Sequence, residues 1–455
     1  MDATAQPENA HLKSMPFRRR YFAQRVVYAW ERPSIMRKHI YTGVMGSVYY
    51  SVVAGIFFLD FGRRIGVTDF QWGLMGGISS FVLSAQLVSA LVTQRRGRRK
   101  AMWFWFAVAG RGVRLLGILS AFAFWHVGWP HLGVILIVAM CLSNFFSAMA
   151  YPPWMSWLAD IIPEEHHGHF WGRRSAWIAG GIILTMMPAG FFMDWVSIDW
   201  KVNLAVGYFV LATVIGMLDA VIHGTIPEPT MQMPPRDHFL KHLLEPLRDR
   251  GFRPWITFNM SWTFSMTLGG ALATIHFLRD LRIDGNMLAG SVVLACLPLL
   301  GGIFVAKWSG GMVDRVGPRR VLFYGHLFWA LLPLFWIWAT PRSAAVWLAC
   351  SSLVGGASSM AAITAANKFI TRFPPPGHRA MYVAVSSCLA SLSGGMGALV
   401  AGTVLKLADG WSWSAAGTVL TGFHLLFAAS FCLRLGSAVL LIRRIREPRR
   451  WIGPV

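Results

Sequence analysis

The chain has 455 residues, of which 55% are hydrophobic and 14% are charged, and its mean hydropathy is +0.49. A water-soluble protein of this size needs a more highly charged surface, so the composition excludes a soluble fold and indicates a membrane protein. The net charge of +22 does not indicate nucleic-acid binding, because the basic residues lie in short clusters between apolar runs.

Apolar runs long enough to cross a bilayer recur along the whole chain. A transmembrane helix needs about 20 apolar residues, and about twelve runs reach that length. The first six lie near 39–62, 71–92, 101–125, 131–155, 172–196 and 203–223. The second six lie near 255–278, 286–308, 320–340, 344–367, 380–405 and 415–442. The sequence therefore predicts an all-α membrane protein with twelve transmembrane helices.

The basic clusters predict the orientation of these helices. An even number of spans puts both termini on one side, and Lys and Arg are concentrated in residues 1–38 and 443–455. Positively charged segments stay in the cytoplasm, so we expect both termini to be cytoplasmic and the protein to be a multi-pass protein of the inner (cytoplasmic) membrane. No short apolar core ahead of a cleavage site precedes the first run, which we therefore expect to be retained.

Two basic segments that contain glycine lie between apolar runs, about 220 residues apart. Residues 310–320 read GGMVDRVGPRR, and residues 90–99 read ALVTQRRGRR. Charges such as those of Asp314 and Arg315 are costly in hydrocarbon, so we expect both segments to be loops at the membrane surface. Their recurrence predicts a duplicated protein with bundles at 39–223 and 255–442, joined by a polar cytoplasmic linker at 224–254.

The six-plus-six pattern, the linker and the basic segments resemble bacterial members of the Major Facilitator Superfamily of secondary transporters. The loop motif of that family reads Gly-x-x-x-Asp-Arg-x-Gly-x-Arg-Arg. The second half matches it at Gly310, Asp314, Arg315, Gly317, Arg319 and Arg320. The first half retains Arg95, Gly97, Arg98 and Arg99. It departs from the motif at Ala90 and Gln94, which stand in place of the glycine and the aspartate.

The resemblance implies the fold and the activity. It implies secondary active transport of a small organic solute by alternating access, as a symporter or antiporter, with the two bundles rocking about a central cavity. We expect a monomer in the lipid bilayer that binds a small-molecule solute. The coupling ion stays open between a proton and sodium. Two alternatives also stay open, a facilitated-diffusion carrier and a non-transporting assembly protein with the same fold.

The aspartate of the second basic segment has a physical role to fill. The fifth helix should begin at the cytoplasmic face near Gly172, where its positive dipole end and the charges of Arg173 and Arg174 would attract a carboxylate. We hypothesise that Asp314 docks there when the cytoplasmic gate is shut. Gln94 cannot form the mirror-image charged contact in the first half.

Three charged residues are predicted to lie inside spans of the first half. Arg111 and Arg114 lie well past Lys100 on one helix face, and Asp219 lies about 10 Å from the end of its span. A buried arginine needs a partner, so we predict an ion pair between Asp219 and either Arg111 or Arg114. A structural role is the simpler interpretation, and a proton-linked or substrate-linked role is the alternative.

By the family resemblance, the first, fourth, seventh and tenth spans surround the cavity. Polar and aromatic side chains on these spans are the candidate substrate contacts. They are Tyr49, Tyr50, Asn144, Asn259, Trp262, Ser358 and Asn367. Hydroxyls and amides beside aromatic rings suit an uncharged or weakly charged solute such as a sugar.

No catalytic triad, nucleotide-binding loop or zinc motif is apparent, so we expect neither an enzyme nor an ATP-driven pump, and no cofactor. His166, His167 and His169 resemble metal ligands, but adjacent histidines without a fixed scaffold make a poor site, so no metal is predicted.

Overall fold

The computed structural model describes residues 32–161, 167–229, 239–270, 272–279, 281, 286–373, 379–415 and 418–446. The first half of this part of the chain forms six spans. They are α1 (Arg32–Ala54) with α2 (Ile56–Arg64), α3 (Asp69–Val82) with α4 (Ala85–Arg96), α5 (Arg99–His126), α6 (Leu132–Ile161), α7 (His167–Trp195) and α8 (Lys201–Gly224). A short 3₁₀ turn, Ile198–Trp200, precedes α8.

The second half repeats this arrangement after a short amphipathic helix, α9 (Phe239–Arg248). The seventh to ninth spans are α10 (Arg253–Gly270) with α11 (Ala273–Arg279), α12 (Met287–Ser291) continuing into α13 (Leu297–Val316), and α14 (Pro318–Ala330) with α15 (Leu332–Trp338). The last three are α16 (Ala344–Arg372), α17 (Arg379–Leu407) and α18 (Gly422–Gly436). π-helical turns, Val292–Cys296 and Ser437–Leu441, occur in the eighth and twelfth spans, and a 3₁₀ turn, Ile442–Arg444, ends the twelfth.

The architecture agrees with the predicted twelve spans. Within the described residues, eleven helical segments are long and apolar enough to cross a bilayer. The seventh predicted span consists of the two shorter helices α10 and α11.

The beginning of the twelfth span differs from the prediction. The structure has an antiparallel hairpin there, β1 (Ser412–Ala415) paired with β2 (Thr418–Thr421), and the helix begins only at Gly422. β-Branched residues favour extended backbone, which explains why the run from Thr418 is a strand. Thr421 then caps α18, with its backbone N–H donating to Nδ1 of His424 at 3.1 Å.

The two basic segments are mostly helical, so the prediction that they are loops throughout is wrong. α4 continues to Arg96 and α13 continues to Val316, and the chain reverses at single glycines, Gly97 (φ 65°) and Gly317 (φ 89°). Glycine suits these positions because a positive φ is strained for other residues. Charges at a helix end also reach the polar membrane surface without a loop, because long side chains extend past the helix.

The arginine two residues after each turn glycine anchors its hairpin to the end of the last span in the same half. Arg99 is fully buried; its backbone N–H donates to Oε1 of Glu228 at 2.7 Å and its Nη2 donates to the carbonyl of Pro229 at 2.7 Å. In the second half, Nη2 of Arg319 donates to the carbonyl of Arg443 at 2.6 Å. The two halves therefore share not only the sequence motif but also this contact between the turn arginine and the end of the last span.

Each half packs as a bundle, and the halves meet along two pairs of spans. The first span packs against the fifth and sixth, and the seventh packs against the eleventh and twelfth. Between the halves, the second span packs against the eleventh and the fifth packs against the eighth. Because these pairs are related by the repeat, the interface has approximate twofold symmetry, and it surrounds the space between the bundles.

Candidate functional site

The two faces of the molecule differ in how closely the halves approach. The face where α1 begins and the twelfth span ends is called the terminal face. The other face is called the opposite face. Towards the opposite face, a methyl group on Gly73 would lie 2.8 Å from Cα of Gly402. A methyl group on Gly190 would lie 2.8 Å from Cα of Leu288. Backbones of the two halves thus touch where glycine leaves room, which closes the opposite face.

A carboxylate reinforces this closure. Asp194, at the end of the fifth span, accepts hydrogen bonds from the backbone N–H groups of Met287 (2.5 Å) and Leu288 (2.8 Å), which begin the eighth span. Asn286, the residue before that helix, makes no capping bond with its own side chain. The side chain of one half therefore caps a helix of the other, and the helix dipole favours its negative charge.

Sequence reasoning missed Asp194, although a signal was present. Asp194 and Asp314 lie near the ends of the fifth and eighth spans, which pack against each other in opposite directions. The start of the eighth helix carries the same positive dipole end as the start of the fifth, so it should attract Asp194 as the fifth was expected to attract Asp314. The antiparallel pairing of these two spans would have identified Asp194.

At the terminal face, the backbone of Asp314 lies in α13, and its side chain lies outside the described residues. The fifth helix begins at His167, five residues before the predicted start at Gly172. Arg173 is exposed, while Arg174 lies against the ring of Trp154, with Cζ 5.3 Å from the ring centroid.

Other predicted motif residues vary in how fully they are described. Arg98, Arg315 and Arg320 are exposed. The structure does not describe His166, the side chains of Arg95, His167 and His169, or the burial of Gly310.

Asp219 forms its ion pair with Arg111. Nη2 of Arg111 contacts Oδ2 of Asp219, and Nη1 of Arg111 donates to the carbonyl of Gly216, both as very close contacts. Gly46 of the first span permits this arrangement, because a methyl group there would lie 2.9 Å from Oδ2 of Asp219. The ring of the buried Tyr49 completes the cluster, 5.4 Å from Cζ of Arg111.

Arg114 has a different environment, in which its described partners are neutral. Its Nε donates to Oγ of Ser143 at 3.0 Å, and its Nη2 donates to Oδ1 of Asn144 at 2.6 Å. Cζ lies 5.9 Å from the ring centroid of Tyr50. The residue is 3% exposed, and its Nη1 is buried without a hydrogen-bond partner.

The candidate contacts of the first half have different exposures. Tyr50 is 61% exposed, Asn144 is half-buried, and Tyr49 is buried against the Arg111 cluster. Tyr50 and Asn144 therefore both contact one charged group, Arg114, which the sequence had offered with Arg111 as a possible partner of Asp219.

Most candidates of the second half are held by packing or hydrogen bonds within that half. Asn259 donates to Oγ of Ser386 at 3.2 Å, and Ser358 donates to the carbonyl of Val354 in its own helix at 2.6 Å. Trp262 is buried, with its ring centroid 4.4 Å from that of His326. Asn367 is exposed.

Comparison with known proteins places this architecture. A family model described as Major Facilitator Superfamily matches residues 40–398. The chain belongs to the Major Facilitator Superfamily. It is therefore a multi-pass membrane protein that moves a solute across the bilayer, which places it among transporters rather than enzymes.

Solved structures show the same fold at low sequence identity. A mutant of the nucleoside transporter NupG is 12% identical, with 90% of this chain and 99% of that chain covered and a TM-score of 0.66. A bacterial homologue of the human lysosomal transporter Spinster, in an inward-facing and unoccupied conformation, is 16% identical, with 91% and 94% covered and a TM-score of 0.58. The comparison with curated proteins found no match.

Proposed function

We propose that the protein is a secondary active transporter that works by alternating access in the inner (cytoplasmic) membrane, as a monomer with both termini cytoplasmic. Its moving units are the bundles at residues 39–223 and 255–442, joined by the 224–254 linker. The observation that carries the proposal is the asymmetry of the interface. Backbones of the two halves approach closely at Gly73 and Gly190, towards the opposite face, where α3 and α12 pack across the interface more extensively than α4 and α13 do. The structure then corresponds to a state that opens towards the termini.

The antiparallel packing of the fifth and eighth spans supplies a mechanism for the exchange between states. Asp194 caps the start of the eighth span and holds the opposite face closed. Asp314, near the end of the eighth span, is the matching group for the start of the fifth span at His167. Because the spans tilt as rigid bodies, closing one face separates the groups at the other. We assign the two aspartates to alternating latches, one for each face.

We assign the pair of Asp219 and Arg111 a structural role. Both side chains are nearly buried, and Arg111 also donates to the carbonyl of Gly216, so the pair is well satisfied within the first bundle. A pair of this kind holds the first, third and sixth spans together, whatever the position of the second bundle.

A reversible cross-link tests the mechanism. A Cβ on Gly76 would lie 3.7 Å from Cβ of Ala398 across the closed opposite face, which is within the range for a disulfide. The double variant Gly76→Cys/Ala398→Cys would be made in a background lacking the native cysteines. These are Cys141, Cys296, Cys350, Cys388 and Cys432. Oxidation should abolish uptake into proteoliposomes, and reduction should restore it.

Each single-cysteine variant is the control, since it carries the same substitution without the cross-link. Full uptake by the fully cross-linked protein would refute alternating access. The same proteoliposomes, loaded with or without a proton or sodium gradient, identify the coupling. Accumulation above equilibrium that requires the gradient supports secondary active transport, and simple equilibration would establish the facilitated-diffusion alternative.

A further inference from the structure

The interior of the first bundle has an excess of positive charge among its described side chains. Two guanidinium groups of the third span, those of Arg111 and Arg114, lie inside the bundle, and the carboxylate of Asp219 pairs with Arg111. The carboxylate is in contact with Arg111 and interacts at longer range with Arg174. The charge of Arg114 is left to neutral partners.

The position of Arg114 makes this arrangement costly. It lies near the middle of α5 (Arg99–His126), 15 residues after the first residue and 12 before the last, so at least about 18 Å of helix separates it from either end. A charge held this deep is expensive unless a counter-charge offsets the loss of hydration. Ser143 accepts a hydrogen bond from Nε and Asn144 accepts one from Nη2, while Nη1 has no hydrogen-bond partner among the described residues. The protein therefore holds this guanidinium with neutral partners, and no described carboxylate contacts it.

The surroundings indicate from which side an anion would arrive. Tyr50, whose ring lies 5.9 Å from Cζ, is 61% exposed although it lies near the middle of the first span. Arg174, nearer the terminal face, lies between Trp154 of the fourth span and Gly43 of the first. Arg174 thus adds a second positive charge on the side of Arg114 that faces the terminal face.

We propose that the transported solute is a small organic anion, and that Arg114 binds its carboxylate or phosphate group, with Asn144 and Tyr50 as neighbouring polar contacts. A guanidinium presents paired N–H donors that match two oxygens of an oxyanion. The bound solute then supplies a counter-charge that no described residue places beside Arg114. The inference rests on the proposed transport function and specifies its substrate class, in place of the neutral solute expected from the sequence.

The test measures binding as stabilisation of the purified, folded protein. The ligands are four anions (succinate, citrate, glycerol 3-phosphate and adenosine monophosphate) and two neutral solutes (glucose and uridine). At least one anion should raise the melting temperature of the wild-type protein and accumulate in proteoliposomes. Arg114→Gln should weaken the apparent affinity for that anion about 10- to 150-fold, the range for a hydrogen bond to a charged group. Arg114→Lys should lose less, because it keeps the charge and loses only the fork geometry.

Two further variants separate binding from folding. Asn144→Asp places a carboxylate where the amide oxygen lies 2.6 Å from Nη2 of Arg114. This internal counter-charge should abolish anion binding while leaving the melting temperature unchanged or raised. Arg434→Gln is the matched control, since Arg434 is a buried arginine of the twelfth span that donates to the carbonyl of Met266 at 3.3 Å. It should bind the anion with wild-type affinity.

Each outcome decides the inference. Unchanged anion affinity in both Arg114→Gln and Asn144→Asp would overturn it. So would a folded wild-type protein that is stabilised by none of the anions, or that transports only glucose or uridine. If the protein transports a neutral solute, and this transport stops when the opposite face is cross-linked, anion binding at Arg114 is refuted while alternating access is supported. The two proposals therefore fail separately.

Discussion

The contact between Gly73 and Gly402 allows closure of the opposite face to be perturbed by one methyl group. In Gly73→Ala the new Cβ would lie 2.8 Å from Cα and 3.2 Å from N of Gly402. Unstrained carbon contacts lie at about 3.5–4.0 Å, so the second and eleventh spans must separate by roughly 1 Å. Overpacking of this kind costs about 1–3 kcal/mol, and only the closed state bears the cost.

Alanine also stabilises a helix relative to glycine by about 1 kcal/mol, but this gain applies in the open and closed states alike and cancels from their ratio. The population closed at the opposite face should therefore fall about 5- to 150-fold relative to the open one. Gly76→Ala is the matched control on the same helix. Its Cβ would lie 3.7 Å from Cβ of Ala398, an ordinary contact, so that ratio should not change.

The assay is a distance measurement between spin labels attached at the opposite-face ends of the second and eleventh spans. Gly73→Ala should add or enlarge a long-distance population that Gly76→Ala does not show. A Gly73→Ala distribution identical to that of the wild type and of Gly76→Ala would refute the assignment of this contact to gate closure.

Substitutions of three aspartates test the charges further. Asp219→Asn leaves Arg111 buried without its carboxylate, so it should lower the free energy of unfolding in detergent by about 3–5 kcal/mol. The double variant Arg111→Gln/Asp219→Asn should lose less stability, and equal losses in the single and double variants would argue against the ion pair. Asp194→Asn should weaken the cap on the eighth span by about 1–2 kcal/mol and lengthen the distances between the spin labels on the second and eleventh spans. An unchanged distribution of these distances would exclude Asp194 as a latch. Asp314→Asn should slow transport and increase accessibility from the terminal face, and unchanged gating would remove the Asp314 latch.

Sequence reasoning succeeded where a property depends on neighbours along the chain. Span length and duplication follow from the local hydropathy and from the recurrence of the basic segments. It failed where two local preferences compete. The run from Thr418 is apolar enough for a helix, but its β-branched residues pair with Ser412–Ala415 as a strand instead.

Burial of charge shows where sequence reasoning ends. The need of Asp219 for an arginine could be predicted, but the choice between Arg111 and Arg114 could not. The rotation of the third span and the space left at Gly46 bring Arg111 to the carboxylate and turn Arg114 towards Ser143 and Asn144. Both arginines lie on one helix face, so helical periodicity alone does not separate them.

By itself, the sequence determined that this chain crosses a membrane in two repeated sets of spans, because hydrocarbon imposes the same length and apolarity on every helix. Only the tertiary structure decided which face is closed, which helix Asp194 caps and which of Arg111 and Arg114 pairs with Asp219. Those outcomes depend on contacts between residues distant in the chain, such as Gly73 with Gly402, and a single ångström of helix separation changes their energies.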